Sequence, residues 1–236
     1  MVMLVVWHIP FDSANAEAIE HSTEDQRTSQ EARWIKKVVT HRKVVALTFD
    51  DGPSKKFTPL ILDVLQKNHA KATFFVIGSR AEAFPDLIRL ELEGHHQVAN
   101  HSYQHQIMTG NSKEKISDEL MNTQHAIEGV VDNQRQPRFF RPPRGRFNHQ
   151  MLQVAEQHHY VVVLWSVDSR DWENPGTRTI VRRVLAQSRN GDIILFHDQG
   201  GSRAQTVASL KQILPELRHM GFEFVTVSEL VRLADP

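Results

Sequence analysis

Apolar runs alternate with amphipathic segments along most of the chain, and this alternation predicts the fold. Each apolar run is short and rich in β-branched and aromatic residues, as buried strands are. The predicted strands are Val44–Phe49, Ala72–Gly78, Gln97–His101, Phe139–Arg141, Tyr160–Val167, Asp192–His197 and Phe222–Val227. The predicted helices are Lys55–Asn68, Pro85–Glu93, Lys113–Val131, Gln150–Gln157, Arg178–Ser188 and Gln205–Met220. Strands that alternate with helices in this way indicate a mainly parallel sheet covered by helices.

Residues 1–42 lack this regularity, so we divide the chain into an N-terminal extension over residues 1–42 and one domain over residues 43–236. We expect short helices near Glu17–Glu20 and Glu31–Val38, and we expect the extension to pack against the domain. The apolar stretch Met1–Trp7 is short and lacks a basic flank, so it does not predict a signal peptide.

Polar clusters follow the first, third, fourth, fifth and sixth predicted strands. In an open sheet ordered along the chain, these strand ends would spread over roughly 24 Å, at about 4.8 Å per strand. In a barrel they face one another across the C-terminal mouth. If the clusters form one site, the barrel is favoured. We therefore expect an α/β fold in the form of an irregular (β/α)7-type barrel, distorted or incompletely closed because seven strands are predicted rather than eight.

Two adjacent carboxylates, Asp50 and Asp51, end the first predicted strand. Like charges at the mouth of a buried strand are costly unless a cation or an arginine lies between them. The pair is therefore a candidate metal site. The alternative is an ordinary surface turn, because turns are rich in Asp and Gly.

Two histidines four residues apart, His101 and His105, follow the third predicted strand. Such a pair can bind one metal ion from a helical turn or a tight loop. With 14 histidines in the chain, chance alone gives about one such pair, so the spacing is weak support by itself. Its position at a strand end opposite Asp50 and Asp51 is more informative. One of these aspartates with both histidines would make a metal site with open positions.

The third cluster, after the fourth predicted strand, is Arg141-Pro142-Pro143-Arg144-Gly145. The prolines restrict the backbone and the glycine permits close approach. Arg141 can form a bidentate pair with a carboxylate at the mouth and keep that carboxylate ionised. An ordinary rigid loop is the alternative.

The last two clusters carry tryptophans, aspartates and a histidine. Trp165-Ser166-Val167-Asp168-Ser169-Arg170-Asp171-Trp172 suits sugar recognition, since an exposed indole can stack on a sugar ring, although a tryptophan can also fill core space. In the sixth strand, Leu195 and His197 share a face and should both point into the barrel. His197 is a candidate acid–base residue whose pKa a carboxylate such as Asp171 would raise, or else a satisfied core histidine.

Composition narrows the chemistry. Lys and Arg together number 28, as do Asp and Glu, so the net charge is zero and nucleic acid is not the expected main partner. The chain has no cysteine, so any metal must be held by His, Asp or Glu. No obligate protein partner is evident from the sequence.

The five clusters, in this order, resemble the motifs of the polysaccharide deacetylase family, also called NodB-like or carbohydrate esterase family 4. They correspond to Thr48–Gly52, His101–His105, Arg141–Gly145, Asp168–Trp172 and Leu195–His197. The likeness covers about residues 43–231. It implies an irregular (β/α) barrel, in agreement with the argument from the strand ends.

The resemblance also implies roles for individual residues. Asp51, His101 and His105 would bind a divalent metal, usually zinc, with cobalt, nickel or manganese as other options. Asp50 would be the general base, held by Arg141. His197 would be the general acid, tuned by Asp171. The substrate side of the pocket would include Trp172, Leu195, Pro143 and Arg144, with the Arg144 backbone N–H stabilising the oxyanion.

One departure concerns Arg144, because the family often has an aromatic residue at this position. The arginine side chain would favour an anionic or differently decorated glycan.

The sequence therefore predicts a metal-dependent hydrolase that removes N-acetyl groups from N-acetylglucosamine polymers such as peptidoglycan or chitin-type oligosaccharides. The alternatives are an esterase of O-acetylated glycans such as xylan, and a catalytically silent glycan-binding protein. By resemblance, the protein is expected to act outside the cytoplasm, at the cell wall.

Overall fold

Nine strands and eight helices alternate along residues 34–130 and 139–235, which are the residues that the computed structural model describes. The strands are β1 (Trp34–Ile35), β2 (Val44–Asp50), β3 (Thr73–Val76), β4 (Gln97–Asn100), β5 (Phe139–Phe140), β6 (Val161–Val163), β7 (Val167–Asp168), β8 (Ile193–His197) and β9 (Glu223–Val225). The helices are α1 (Thr58–Lys67), α2 (Gly78–Ala83), α3 (Pro85–Glu93), α4 (Lys113–Glu128), α5 (His149–Gln157), α6 (Thr177–Gln187), α7 (Ala204–His219) and α8 (Val227–Arg232). Among these residues, no helix combines the length and apolar character needed to cross a membrane.

The strands form one parallel sheet in the order β1-β6-β5-β4-β3-β2-β8-β7, with β9 also pairing with β2. Although β6 and β7 are consecutive in the chain, they lie near opposite ends of this order. The backbone between them crosses the gap: Leu164 N–H donates to Ile35 O over 2.7 Å, and Ser166 N–H donates to Ile193 O over 3.0 Å. The sheet is therefore curled into a half-barrel, and the predicted irregular α/β barrel is confirmed.

Strand β2 is the centre of the sheet and of the core. All seven of its residues are buried. The Phe49 ring stacks on Phe74 at 5.1 Å and on Phe196 at 5.7 Å between ring centroids, which joins β2 to β3 and β8. The register pairs Asp50 with His197. Two polar residues from different strands thus lie side by side where the apolar layer ends.

Every strand and helix predicted within residues 43–236 has a counterpart within a few residues, but two boundaries are wrong. The predicted strand Tyr160–Val167 is broken into β6 and β7, because the buried Arg141 guanidinium takes the carbonyls of Val163 and Leu164 as acceptors, each at 3.1 Å. The predicted strand Phe222–Val227 ends earlier because Thr226 and Glu229 form a reciprocal capping box that begins α8.

Helix α2 was not predicted, because its first residue, Gly78, belongs to the apolar run of the preceding strand.

The expected helix at Glu31–Val38 is also wrong over its described part, since Trp34 and Ile35 form β1 and pair with β6. Ile35 and Val38 are buried, and Lys37 Nζ lies 2.9 Å from Asp192 Oδ1. An edge position in the sheet thus outweighs local helical tendency. The expected helix near Glu17–Glu20 lies outside the described residues.

Glu91, on α3, is a buried acid without a partner. The residue is fully buried, and among the described residues neither carboxyl oxygen has a hydrogen-bond partner. Burial, reinforced by the charge of Asp198, raises the pKa of Glu91 well above its usual value. Since the unfolded chain ionises this group at ordinary acidity and the folded one does not, Glu91 costs stability increasingly as the pH rises above about 4.3.

Replacing Glu91 should therefore stabilise the fold. We expect Glu91→Met to raise the free energy of unfolding by about 1–3 kcal/mol near neutral pH, because an unpaired buried polar group is removed. The gain should be larger at pH 8 than at pH 5. Urea unfolding at both pH values measures it, with Glu93→Met on the exposed face of α3 as the control. An equal or lower stability of Glu91→Met at pH 8 would contradict the assignment.

Candidate active site

A cavity of about 510 Å³ opens at the carboxyl ends of the strands, where the five polar clusters meet. Its lining includes eight of the residues singled out from the sequence: Asp50, Asp51, His101, His105, Arg144, Trp172, Leu195 and His197. Three further residues expected at the site do not line the cavity. Arg141 and Asp171 are buried behind the lining, and Pro143 is the buried first residue of the turn that carries Arg144. The curl of the sheet thus brings together clusters that are up to about 150 positions apart in the printed sequence.

Asp51, His101 and His105 form a set of three ligand groups. Their nearest ligand atoms all lie within 4.8 Å of one another. Asp51 Oδ1 is 3.4 Å from His101 Nε2 and 3.1 Å from His105 Nε2. In a tetrahedral zinc site with bonds of about 2.0–2.2 Å, two ligand atoms lie about 3.3–3.6 Å apart. The donor set and its spacing therefore fit a zinc-type cation.

The electrostatics of this set favour a cation as well. Burial alone would raise the pKa of Asp51, but the His101 and His105 imidazoles hold it far below its usual range. His101 Nδ1 lies 2.7 Å from Arg141 O, which leaves Nε2 directed towards the aspartates. Such a partner fixes the tautomer and the orientation of a ligand histidine.

Asp50 lies next to this set and is held by Arg141. Arg141 Nη1 donates to Asp50 Oδ1 over 2.6 Å, while Asp50 Oδ2 is 3.7 Å from His101 Nε2. The expected bidentate pair is not formed. The guanidinium makes one hydrogen bond to Asp50. It donates its other hydrogen bonds to Thr48 Oγ1 and to the carbonyls of Val163 and Leu164. This leaves one oxygen of Asp50 free of the arginine.

His197, the register neighbour of Asp50 on β8, also lines the cavity and is paired with Asp171. The two side chains approach to 2.7 Å between His197 Nδ1 and Asp171 Oδ1, and Asp171 Oδ2 accepts hydrogen bonds from His197 N–H and from Thr206 Oγ1. Burial alone would lower the pKa of His197, but Asp171, with Asp50 and Asp51, raises it to about 9. The imidazole is therefore protonated at neutral pH, and Nε2 is the nitrogen left for the cavity.

Arg144 lies in a tight turn, Pro143–Gly145, at the edge of the cavity. Its backbone is left-handed, with φ 58°, and the side chain is exposed. Among the described residues, no hydrogen bond engages its N–H and no ion pair engages its guanidinium. Pro143, expected on the substrate side, is buried and does not line the cavity. A proline there restricts the turn instead.

The apolar wall has an exposed and a buried part. Trp172 is 51% exposed and Leu195 only 3% exposed, and both line the cavity with Trp165. The Trp165 ring also packs on Gly145, where an added Cβ would lie 2.8 Å from the indole. The glycine thus permits the close approach of turn and indole.

Asp198 is a residue of the site that the sequence analysis did not identify. Its carboxylate is buried against Gly52, where an added Cβ would lie 2.2 Å from Asp198 Oδ2, and it accepts a hydrogen bond from Thr58 Oγ1. Burial, with the charge of Asp51, raises the pKa of Asp198 to about 7. The only sequence signal was its position directly after His197. Thr206 had no sequence signal, since it reaches Asp171 from α7.

Comparisons with known proteins agree with this geometry. Residues 37–163 match the family model described as Polysaccharide deacetylase. The chain is 43% identical over 197 residues to a peptidoglycan-N-acetylglucosamine deacetylase of Bacillus cereus, covering 83% of this chain and 91% of the relative. It is 37% identical over 203 residues to a chitooligosaccharide deacetylase of Bradyrhizobium sp., covering 81% and 92%.

A solved structure is similar over nearly the whole domain. The crystal structure of the peptidoglycan N-acetylglucosamine deacetylase Bc1960 has a TM-score of 0.81 and 32% sequence identity, covering 86% of this chain and 94% of that one. The family expected from the five sequence clusters is therefore confirmed, and this chain is a member of the polysaccharide deacetylase family.

Proposed function

We propose that this protein is a metal-dependent hydrolase that removes N-acetyl groups from N-acetylglucosamine-containing glycans and releases acetate. The observation that carries this proposal is the cavity itself, in which Asp50 lies beside a set of metal-ligand groups and next to the protonated His197 of the neighbouring strand. A base, an acid and a cation site at one small opening are the requirements for hydrolysing an amide.

Asp51, His101 and His105 would hold the cation, and we propose Zn²⁺ because two imidazoles and one carboxylate suit it. When bound, zinc polarises a carbonyl and lowers the pKa of a coordinated water towards about 7.

Asp50 would act as the general base. Arg141 holds one of its oxygens and keeps the carboxylate oriented, so the other oxygen can take a proton from the attacking water. The buried guanidinium also places a positive charge beside the two adjacent aspartates, which offsets their mutual repulsion.

His197 would act as the general acid. Asp171 holds the proton on Nδ1, so the proton on Nε2 is the one available to the departing amine. Protonation matters because an amine anion is a poor leaving group.

The rim of the cavity would bind the acetyl group and the sugar. The unengaged Arg144 N–H is suited to stabilise the oxyanion, and one such donor is worth roughly 3–4 kcal/mol in the transition state. Leu195 and Trp172 would enclose the methyl group, while the exposed part of the Trp172 indole would meet the sugar ring.

The substrate would be an acetylated glycan polymer or oligosaccharide, either peptidoglycan or a chitin-type oligosaccharide. The relatives named after these two substrates match most of the chain, which supports both. Action on peptidoglycan would place the protein outside the cytoplasm.

Acetate release tests the proposed reaction. We expect the protein to release acetate from chitooligosaccharides or peptidoglycan, to lose this activity on chelation and to regain it with added zinc. Asp50→Asn should lower kcat by about 10²–10⁴-fold, the usual contribution of a general base. Asp118→Asn, an equivalent change on an exposed residue, serves as the control.

Acetate release that survives chelation or the Asp50→Asn change would contradict the mechanism. Release from O-acetylated xylan alone would identify an esterase, and glycan binding without acetate release would identify a silent binding protein.

Asp171→Asn tests the pairing of the acid. Loss of the adjacent negative charge should lower the pKa of His197 from about 9 by about 1–3 pH units. The alkaline limb of the pH profile of kcat should shift to lower pH by the same amount, because the acid must be protonated to act. NMR titration of the His197 ring in the metal-free protein measures the pKa. Thr206→Val removes only a neutral hydrogen bond to Asp171 and should change the pKa of His197 less. An unchanged pKa in Asp171→Asn would refute the pairing.

Arg144→Ala tests the preference for charged glycans. Peptidoglycan carries peptide carboxylates that chitooligosaccharides lack, and the Arg144 side chain is exposed at the cavity edge. We expect kcat/KM to fall about fivefold more on peptidoglycan than on chitooligosaccharide at low salt, corresponding to about 1 kcal/mol for an exposed charge pair. High salt should reduce the difference. Arg146→Ala, also exposed but away from the cavity, is the control. Equal losses on both substrates would contradict this role.

A further inference from the structure

The loop that carries both histidine ligands is held in place by a carboxylate from helix α4. Glu119 Oε2 accepts hydrogen bonds from the backbone N–H of Tyr103 at 2.8 Å and of Gln104 at 2.9 Å. These two residues lie between His101 and His105. One side-chain oxygen therefore fixes the middle of the segment that separates the two ligands.

This loop needs an anchor because its backbone is unfavourable. Ser102 and His105 both have left-handed conformations, with φ 65° and φ 56°. Each such residue costs roughly 1–2 kcal/mol, so the conformation persists only where its surroundings enforce it. The loop contains no glycine to relieve this cost.

The anchoring comes from both sides of the loop. The carbonyls of Ser102 and Tyr103 accept hydrogen bonds from Gly78 N–H at 3.0 Å and Ser79 N–H at 3.1 Å, at the start of α2. Glu119 binds the amide groups that follow. Helix α2 thus engages the acceptors of the loop, and α4 engages its donors.

His105 depends on this anchoring more than His101 does. His101 is fully buried against Arg141 O, whereas His105 is partly exposed. The His105 ring meets Asp51 Oδ1 at 3.1 Å, and its centroid lies 5.0 Å from that of the His101 ring. The His105 N–H donates to Ser102 Oγ over 3.0 Å, and Ser102 belongs to the same loop. The position of the His105 ring is therefore fixed only as well as the loop backbone is.

Helix α4 provides a rigid base for Glu119. The neighbouring Leu120 is fully buried, and its carbonyl accepts a hydrogen bond from Asn100 Nδ2 at 2.8 Å. Asn100 Oδ1 in turn accepts the Ser102 N–H at 2.9 Å. The helix is therefore fixed to the strand that leads into the loop, and Glu119 spans the remaining distance to the loop centre.

We propose that Glu119 is a positioning residue for the metal centre, holding the His101–His105 loop so that His105 Nε2 lies at ligand distance from Asp51 and His101, and thereby setting the affinity for the cation. This inference rests on the metal site of the proposed function. Glu119 itself is not a ligand, and its action is entirely through the loop backbone.

Metal affinity, measured apart from catalysis, tests this role. Zinc titration in competition with a chromophoric chelator should show Glu119→Ala binding about 10–100-fold more weakly than the wild type, as for other partners that orient ligands. Glu119→Gln keeps an acceptor oxygen but loses its charge, and charge roughly doubles the strength of such hydrogen bonds. We therefore expect Glu119→Gln to bind zinc about 3–10-fold more weakly than the wild type.

The matched control is Asp118→Ala, which removes a carboxylate from the adjacent, exposed position of the same helix and should leave the affinity unchanged. Cobalt(II) absorption provides a second readout, since a displaced His105 should change the ligand-field bands of Glu119→Ala but not those of Asp118→Ala. Thermal unfolding of the metal-free variants separates loop positioning from a loss of overall stability.

An affinity order of wild type, then Gln, then Ala would support the proposal. Equal affinities with identical cobalt spectra would overturn it, as would a lower unfolding temperature of Glu119→Ala with unchanged metal affinity. If Glu119→Ala does not fold, Glu119→Gln decides in the same way. If the wild type binds no metal, the proposed metal site fails as well, and this result is distinct from a failure of Glu119 alone.

Discussion

The buried guanidinium of Arg141 is the interaction on which the rest of the site depends. It pairs with Asp50 at the end of β2 and lies 4.0 Å from the centre of the Phe75 ring. It also donates hydrogen bonds to the carbonyls of Val163 and Leu164, where the strand is interrupted between β6 and β7. The backbone carbonyl of Arg141 orients the His101 ring. A charge with no exposed surface must be matched by partners on every side, since an unpaired buried charge typically costs about 3–5 kcal/mol. The requirement to satisfy Arg141 therefore links strand pairing, Asp50 and His101 in one arrangement.

Four buried or partly buried acidic groups carry an energetic cost in this fold. Asp50 and Asp51 are adjacent, Asp198 is buried directly behind their turn, and Glu91 is buried without a partner among the described residues. Arg141 and the imidazoles offset the first two. Asp198 and Glu91 are instead driven towards their neutral forms by burial. Such unfavourable local choices are expected to concentrate near functional sites.

Much of the fold could be predicted because the apolar pattern and the backbone agree. Strand β2 is buried along its length and apolar except at Thr48 and Asp50, and the amphipathic helices each bury one face. The errors occurred where a tertiary contact competed with local preference. Arg141 took the carbonyls of Val163 and Leu164 that a continuous strand would have used. The edge of the sheet drew Trp34 and Ile35 into β1. The capping box at Thr226 was present in the sequence and was missed.

The sequence by itself determined the α/β fold, the family and the residue types available for chemistry, because motif order and apolar periodicity are properties of the chain alone. Only the tertiary structure decided how these residues meet. It showed that Arg141 binds Asp50 through a single nitrogen and that Pro143 does not line the cavity. It also showed that Thr206 contacts Asp171, that Asp198 lies against Gly52, and that Glu119 contacts the loop between the two histidines. These contacts join residues from separate elements. Their distances and burial depend on how the sheet curls and how the helices pack, which no local pattern records.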